Sequence, residues 1–215
     1  MSSSDRPIVL ITGACGGVGR QCAELLAARG AQLVLADIDG EALGLLGDEL
    51  EAVARYCDVA SEASVTVFAA DVISCFPRLD MVINAAGGGY ERTLGMYRVS
   101  RALIPALRRD GRHNILLNIP PADRHAAEAI FPYASSQQAF QRLCAALAAE
   151  TRGSAVRVLI GHPGNDHVSE VLPDRNAGFV ADAYDLTRHA NDGQGRLAAH
   201  IAALLDPPDP IRRAG

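Results

Sequence analysis

The sequence predicts an α/β fold: a doubly wound parallel sheet with helices on both faces, in a single domain spanning residues 1–215. Three observations predict it. Short apolar runs alternate with longer segments of helical period, the pattern of strands joined by crossover helices. The apolar runs are continuous rather than alternating, as in strands buried on both faces. The first of them runs directly into a glycine-rich turn and then a helix.

The elements follow in order. Ile8–Thr12 is the first strand, and the next helix lines up Val18, Cys22, Leu25, Leu26 and Arg29 until Gly30 stops it. A strand Gln32–Ala36, a helix from Asp39 to Leu50 and a strand Val53–Cys57 come next, then a helix Ser61–Phe76 and the strand Leu79–Asn84. The second half gives a helix Thr93–Arg109, a strand Asn114–Ile119 ended by Pro120-Pro121, and an Ala-rich helix Tyr133–Thr151. The strand Val156–Gly161 ends at Pro163-Gly164. Residues 165–195 keep no period and are expected to form a mobile loop region on the substrate side, with room for one short helix. A last helix, Gly195–Leu205, precedes the Pro-rich Asp206–Pro210. No repeat or linker divides the chain.

Composition narrows the function. At 215 residues, 49% hydrophobic and 21% charged, the chain is ordinary for one globular domain. A net charge of −5 gives no electrostatic footprint for nucleic acid or an anionic membrane. No apolar run reaches the length of a membrane span, and Met1–Asp5 does not resemble a signal peptide. The five cysteines are odd in number and scattered without CxxC spacing, which predicts free thiols, no zinc site and a cytoplasmic setting.

The turn Thr12-Gly-Ala-Cys-Gly-Gly-Val-Gly19 lies between a strand and a helix. In that setting glycines let the backbone approach a pyrophosphate, and the helix N-terminus offers free N–H groups and partial positive charge. A ligand-free Gly-rich turn is the alternative. Asp37, 18 positions after Gly19 at the end of the second strand, argues against it. A carboxylate there accepts hydrogen bonds from adenosine ribose hydroxyls and repels a 2′-phosphate. Neither Ile38 nor Asp39 supplies a cation for such a phosphate, and Asp39 serves equally well as an ordinary helix cap. The expected ligand is NAD(H), preferred over NADP(H), in a Rossmann-type fold.

These residues resemble the short-chain dehydrogenase/reductase family. Thr12, Gly13, Gly17, Val18 and Gly19 match its nucleotide loop, and Asp58-Val59 matches its acidic residue near the adenine amino group. Asn84-Ala85-Ala86-Gly87 looks like its Asn-Asn-Ala-Gly motif with one Asn replaced. Tyr133-Ala-Ser-Ser-Gln137 resembles its tyrosine segment, and Pro163-Gly164 its Pro-Gly after the sixth strand. The resemblance covers Ile8 to Gly164 well and the remainder poorly.

The resemblance implies a catalytic Tyr, Lys, Ser and Asn, of which Tyr133 alone survives. The Lys position is Gln137, the Ser position Pro121 and the Asn position Arg92, judged by the distance to Pro105. A Lys charge about 4–5 Å from the phenol, at an effective dielectric of about 20, is worth roughly 3–4 kcal/mol, or two to three pKa units. Gln137 brings no charge, so Tyr133 is expected to be a poor base at pH 7. Pro121 removes an oxyanion donor of a kind commonly worth about 10²–10³ in rate. Ser135 and Ser136 follow Tyr133 and are read as packing residues. The short link from Gly87 to Arg92, and Asp166 and Val168 where the family carries its nicotinamide-side apolar residue and Thr, alter the substrate end further.

Other polar residues offer further candidates. Asp123, Arg124 and His125, with Asp166 and His167, could form a replacement acid/base or metal group, against the commoner reading of solvated loops. His113, His189 and His200 read as surface positions. Cys15 and Cys57 have no cationic sequence neighbour to make them oxidation sensors. The expected function is an NAD(H)-binding family member with weak or absent ordinary dehydrogenase activity, acting as sensor, scaffold or partner subunit. The alternative is an active NAD-dependent oxidoreductase on an alcohol or carbonyl, using Tyr133 with a rearranged donor set. A homodimer is expected through helices 93–109 and 133–151, whose Met96, Val99, Leu103, Phe140, Leu143 and Leu147 exceed what one sheet face requires.

Overall fold

A computed structural model describes residues 6–87, 89–109, 114–120, 130–162, 167–171 and 192–205, with the backbone alone at 89–90, 130–137, 167 and 192–195. The strands are β1 (Ile8–Thr12), β2 (Gln32–Asp37), β3 (Val53–Tyr56), β4 (Met81–Asn84), β5 (Ile115–Asn118), β6 (Arg157–His162) and β7 (His167–Glu170). The helices are α1 (Gly17–Ala28), α2 (Gly40–Glu49), α3 (Glu62–Cys75), α4 (Gly89–Leu107), α5 (Ile130–Glu150) and α6 (Asp192–Ala203). They form one seven-stranded sheet in the order β3-β2-β1-β4-β5-β6-β7, parallel except for β7. The predicted doubly wound fold is the observed one.

The continuous apolar runs are explained by what covers the sheet. Along β1, Val9 and Ile11 face a core built with α1, α2 and α6, while Ile8 and Leu10 face one built with α3, α4 and α5. A strand packed on both faces has no solvated side for polar residues to occupy. Burying each such side chain stabilises the fold by about 1.5–3 kcal/mol. Helix ends follow their local chemistry. Asp39 caps α2 by accepting from the Ala42 N–H at 3.0 Å, and Ser61 caps α3 from the Ser64 N–H at 3.3 Å. Gly30, at φ +80°, closes α1 while its N–H reaches the Ala27 carbonyl.

Four expectations are corrected. Helix α4 begins at Gly89, before Thr93, and α5 begins at Ile130, before Tyr133. The stretch 165–195, read as a loop region with room for one short helix, contains the antiparallel strand β7 and the start of α6 at Asp192; residues 172–191 lie outside the described residues. Finally, the apolar surplus assigned to a dimer is internal. Met96, Val99, Leu103, Phe140 and Leu147 are buried within the protomer, and Leu143 packs partly buried against them.

Candidate functional site

The sheet reverses its winding between β1, which leads outward to β2 and β3, and β4, which leads to β5 and β6. A crevice opens at the carboxyl ends of the strands at such a reversal. Here it is a cleft of about 450 Å³, within the range of small-molecule sites.

Its floor is made by glycine. Gly13 has φ +67°, and a Cβ there would lie 2.5 Å from the Ala86 backbone nitrogen. A Cβ on Gly19 would come 2.1 Å from the Gly13 carbonyl oxygen. No other residue fits either position, so β1, α1 and the β4 loop close to backbone contact. Helix α1, with Gly16 as its N-cap residue, has no side-chain cap and no acidic residue in its first turn, unlike α2 and α3. Its first N–H groups are left for an anion.

At one end of the cleft stand Asp37, Ile38, Asp58 and Val59. The Asp37 carboxylate anchors the glycine loop: one oxygen accepts from the Cys15 N–H at 2.9 Å, the other from the Ile38 and Asp39 N–H groups at 2.8 and 3.2 Å. Asp58 accepts from the Ala60 N–H, and its own N–H donates to the Ser64 hydroxyl. Ile38 is 51% exposed, an apolar surface suited to one face of a flat base. Gly95 holds this end from below. A Cβ there would lie 2.3 Å from the Val59 carbonyl oxygen, so α4 crosses the β3–α3 turn at backbone distance.

At the other end the lining is Ala85, Ala86, Gly87, Ile119, Pro120 and Arg92. The Arg92 guanidinium donates to the Gly87 carbonyl at 2.7 Å and stays exposed. It is the one cation among the described lining residues. Ile119 and Pro120 present no side-chain donor.

Ten of the predicted cofactor residues line the cleft: Gly13, Gly17, Val18, Asp37, Ile38, Asp58, Val59, Ala85, Ala86 and Gly87. Thr12, Gly19 and Asn84 do not; they sit buried beneath it. Asn84 Nδ2 donates to Ser100 Oγ at 3.0 Å and Asn118 Oδ1 at 2.9 Å, and Thr12 Oγ1 donates to Asn84 Oδ1 at 3.4 Å. This buried network ties β1, β4, β5 and α4 together under the site. Asn118 Nδ2 is buried and has no partner among the described residues.

Sequence reading missed Cys15, Gly16, Cys57, Ile119 and Pro120 as lining residues, though all neighbour motif positions. Burial, then the nearby Asp37 charge, push the Cys15 thiol up to about 11, and burial pushes Cys57 to about 11. Both stay protonated at pH 7, which argues against reactive thiolates. All five cysteines are free. Among the described residues no cluster of three His, Cys, Asp or Glu side chains could hold a metal.

Pro121, Asp123, Arg124, His125, Pro163, Gly164 and Asp166 lie outside the described residues, as do the side chains of Tyr133, Gln137 and His167. The backbone places Tyr133, Ser135, Ser136 and Gln137 in the first turns of α5, and His167 opposite His162 in the β6–β7 pair.

Known proteins are similar to this chain in sequence and fold. The mouse dehydrogenase/reductase SDR family member 7B is 27% identical over 91% of this chain and 68% of its own length. A short-chain dehydrogenase structure from Streptomyces avermitilis superposes with a TM-score of 0.74 at 25% identity, covering 95% of this chain and 86% of that one. The Pseudomonas aeruginosa RhlG/NADP complex gives 0.65 at 25% identity over 74% and 71%. A Brucella melitensis 3-ketoacyl-(acyl-carrier-protein) reductase with NADH gives 0.64 at 26% over 73% and 75%. The family model for short chain dehydrogenases matches residues 7–176, which takes in every cleft-lining residue described above. The chain belongs to the short-chain dehydrogenase/reductase family of oxidoreductases, built on an NAD(P)-binding fold.

Proposed function

We propose that the chain binds NAD(H) in preference to NADP(H) and performs little ordinary dehydrogenase chemistry, serving as a dinucleotide-dependent sensor, scaffold or partner subunit. The observation that carries this reading is the asymmetry of the cleft. One end combines an uncapped helix N-terminus, a glycine cradle that any Cβ would fill, and the Asp37 and Asp58 carboxylates. The other end offers Ile119, Pro120 and Arg92. A bound nicotinamide would supply a hydride acceptor or donor there. The residues that would polarise a carbonyl and move its proton are replaced in sequence at Arg92, Pro121 and Gln137.

Asp37 supports the choice of NAD(H), since no cation among the described residues lines its end of the cleft. The cytoplasmic reading is supported by the five free thiols. Among the described residues, no helix is long and apolar enough to cross a membrane. The homodimer rests on the family resemblance alone.

An active oxidoreductase using Tyr133 is the second reading, favoured by family membership and by the place of Tyr133 at the start of α5. Turnover on a broad alcohol and ketone panel separates the two. The proposal expects little or none, and only a small change in dinucleotide affinity in Tyr133→Phe. Rates of about 1 s⁻¹ or faster, abolished in Tyr133→Phe, would establish the working enzyme instead.

A further inference from the structure

We propose that Arg92 makes the cleft discriminate between the two redox states of its dinucleotide, favouring the reduced form. The inference rests on the proposed dinucleotide binding and extends it to a property of one residue. The strand order fixes which end is which. Asp37 and Asp58 close β2 and the β3 turn, the glycine loop follows β1, and Ala85–Gly87 and Ile119-Pro120 follow β4 and β5. A dinucleotide whose ribose meets Asp37 and whose pyrophosphate meets the start of α1 has one direction left for its nicotinamide, toward β4 and β5. Arg92 stands at that end.

Among the described residues the charge there is one-sided. Arg92 is the single cation among the described lining residues, while the lining carboxylates, Asp37, Asp39 and Asp58, gather at the opposite end. Glu91, its neighbour on α4, is exposed and does not line the cleft. The hydrogen bond to the Gly87 carbonyl holds the guanidinium at the cleft instead of leaving it to swing into solvent. Arginine keeps its charge at every physiological pH. The oxidised nicotinamide ring carries a positive charge and the reduced ring none. A fixed guanidinium therefore penalises the oxidised form and leaves the reduced form unaffected. Solvent access limits the effect to roughly fivefold (about 1 kcal/mol).

The test is calorimetric titration of NAD⁺, NADH and ADP-ribose into wild type, Arg92→Gln and Arg92→Lys. Gln removes the charge and keeps a polar side chain, and Lys keeps the charge. The expected result is a ratio Kd(NAD⁺)/Kd(NADH) that falls about fivefold in Arg92→Gln, mainly through tighter NAD⁺, and holds in Arg92→Lys. ADP-ribose, which lacks the ring, should bind all three proteins alike. The wild-type ratio should also fall as salt is raised, a measurement that needs no variant to fold. An unchanged ratio in Arg92→Gln, or a salt-independent one, overturns the inference. So does equal weakening of ADP-ribose, which would assign Arg92 to the pyrophosphate. Failure of wild type to bind any of the three ligands removes the dinucleotide reading itself, an outcome distinct from binding without redox preference.

Discussion

Replacing Asp37 tests both the cofactor preference and the way the glycine loop is held. A ribose 2′-phosphate carries about −1.5 to −2 charges at pH 7. Placed about 5 Å from a carboxylate at an effective dielectric of about 60, it is repelled by roughly 1.5–2 kcal/mol, a tenfold or larger preference for NADH over NADPH. The same carboxylate accepts the Cys15 N–H at 2.9 Å in a partly buried setting. Asp37→Ala leaves that donor without a partner, at a cost of about 1–2 kcal/mol. The Ile38 and Asp39 N–H groups are exposed, and water replaces the lost acceptor there. For a chain of this size the melting temperature then drops by roughly 2–8 °C. Asp37→Asn keeps one acceptor and loses the charge. It should narrow the NADH/NADPH gap to about threefold or less with a smaller loss of stability, whereas Asp37→Ala should narrow the gap and weaken both ligands. Calorimetry with NADH and NADPH, alongside thermal melts, reads all of this. Wild type binding NADPH as tightly as NADH would refute the electrostatic argument, and an unchanged melting temperature in Asp37→Ala would refute the anchoring role.

Gly95→Ala places a methyl against the Val59 carbonyl; the gain in helix propensity is outweighed, and a net loss of about 1–3 kcal/mol is expected in denaturant melts, with weaker ADP-ribose binding. Gly44→Ala, exposed within α2 and with nothing within 4 Å of the added carbon, should instead stabilise by about 0.5–1 kcal/mol. Light scattering at tens of micromolar tests the homodimer: a dimer is expected, and a monomer would leave the resemblance without force for assembly.

The parts of this protein legible in its sequence are those whose cause is local. The strand Ile8–Thr12, the glycine loop, the stop at Gly30 and the cap Asp39 each depend on a few consecutive residues, and each stands where the sequence places it. What escaped reading depends on contacts between distant segments. Gly95 is an unremarkable helix residue until α4 is laid across Val59. Strand β7 is four residues, His-Val-Ser-Glu, with one aliphatic side chain, and exists because β6 offers it an edge to pair with. Helix α4 starts at Gly89, the last of three consecutive glycines in the sequence, which give no helix-start signal. Thr12 and Asn84 carry a motif that points to the ligand, yet their side chains bond to each other and to the sheet beneath it. A motif locates a site without stating which of its members touch the ligand. The surplus of apolar residues on α4 and α5 misled for a related reason: hydrophobicity counts burial but does not say against what, and here the protomer's own core takes Leu103 and Phe140.

Among the described residues, part of the cleft is built from backbone contacts and part from side chains, and on the proposed reading this is how it keeps a ligand while its chemistry changes. The glycine floor of the cleft is made of backbone, beside the Asp37 and Asp58 carboxylates. Gly13 against Ala86, Gly19 against Gly13 and Gly95 against Val59 are contacts that also seat β1, α1 and α4, so altering them costs the fold as well as the binding. The nicotinamide end is made of side chains standing on elements already fixed by the core. Arg92 is exposed, while Ile119 and Pro120 continue from a β5 held by hydrogen bonds to β4 and β6. Exchanging a side chain at Arg92 changes charge and donor geometry without disturbing the buried Thr12–Asn84–Asn118 network below it. Altering the glycine floor is thus tied to stability, and exchanging Arg92 is not. On the proposed reading, the proton-transfer set is replaced while the dinucleotide cleft is retained, and a new property of that cleft is to be sought where Arg92 stands.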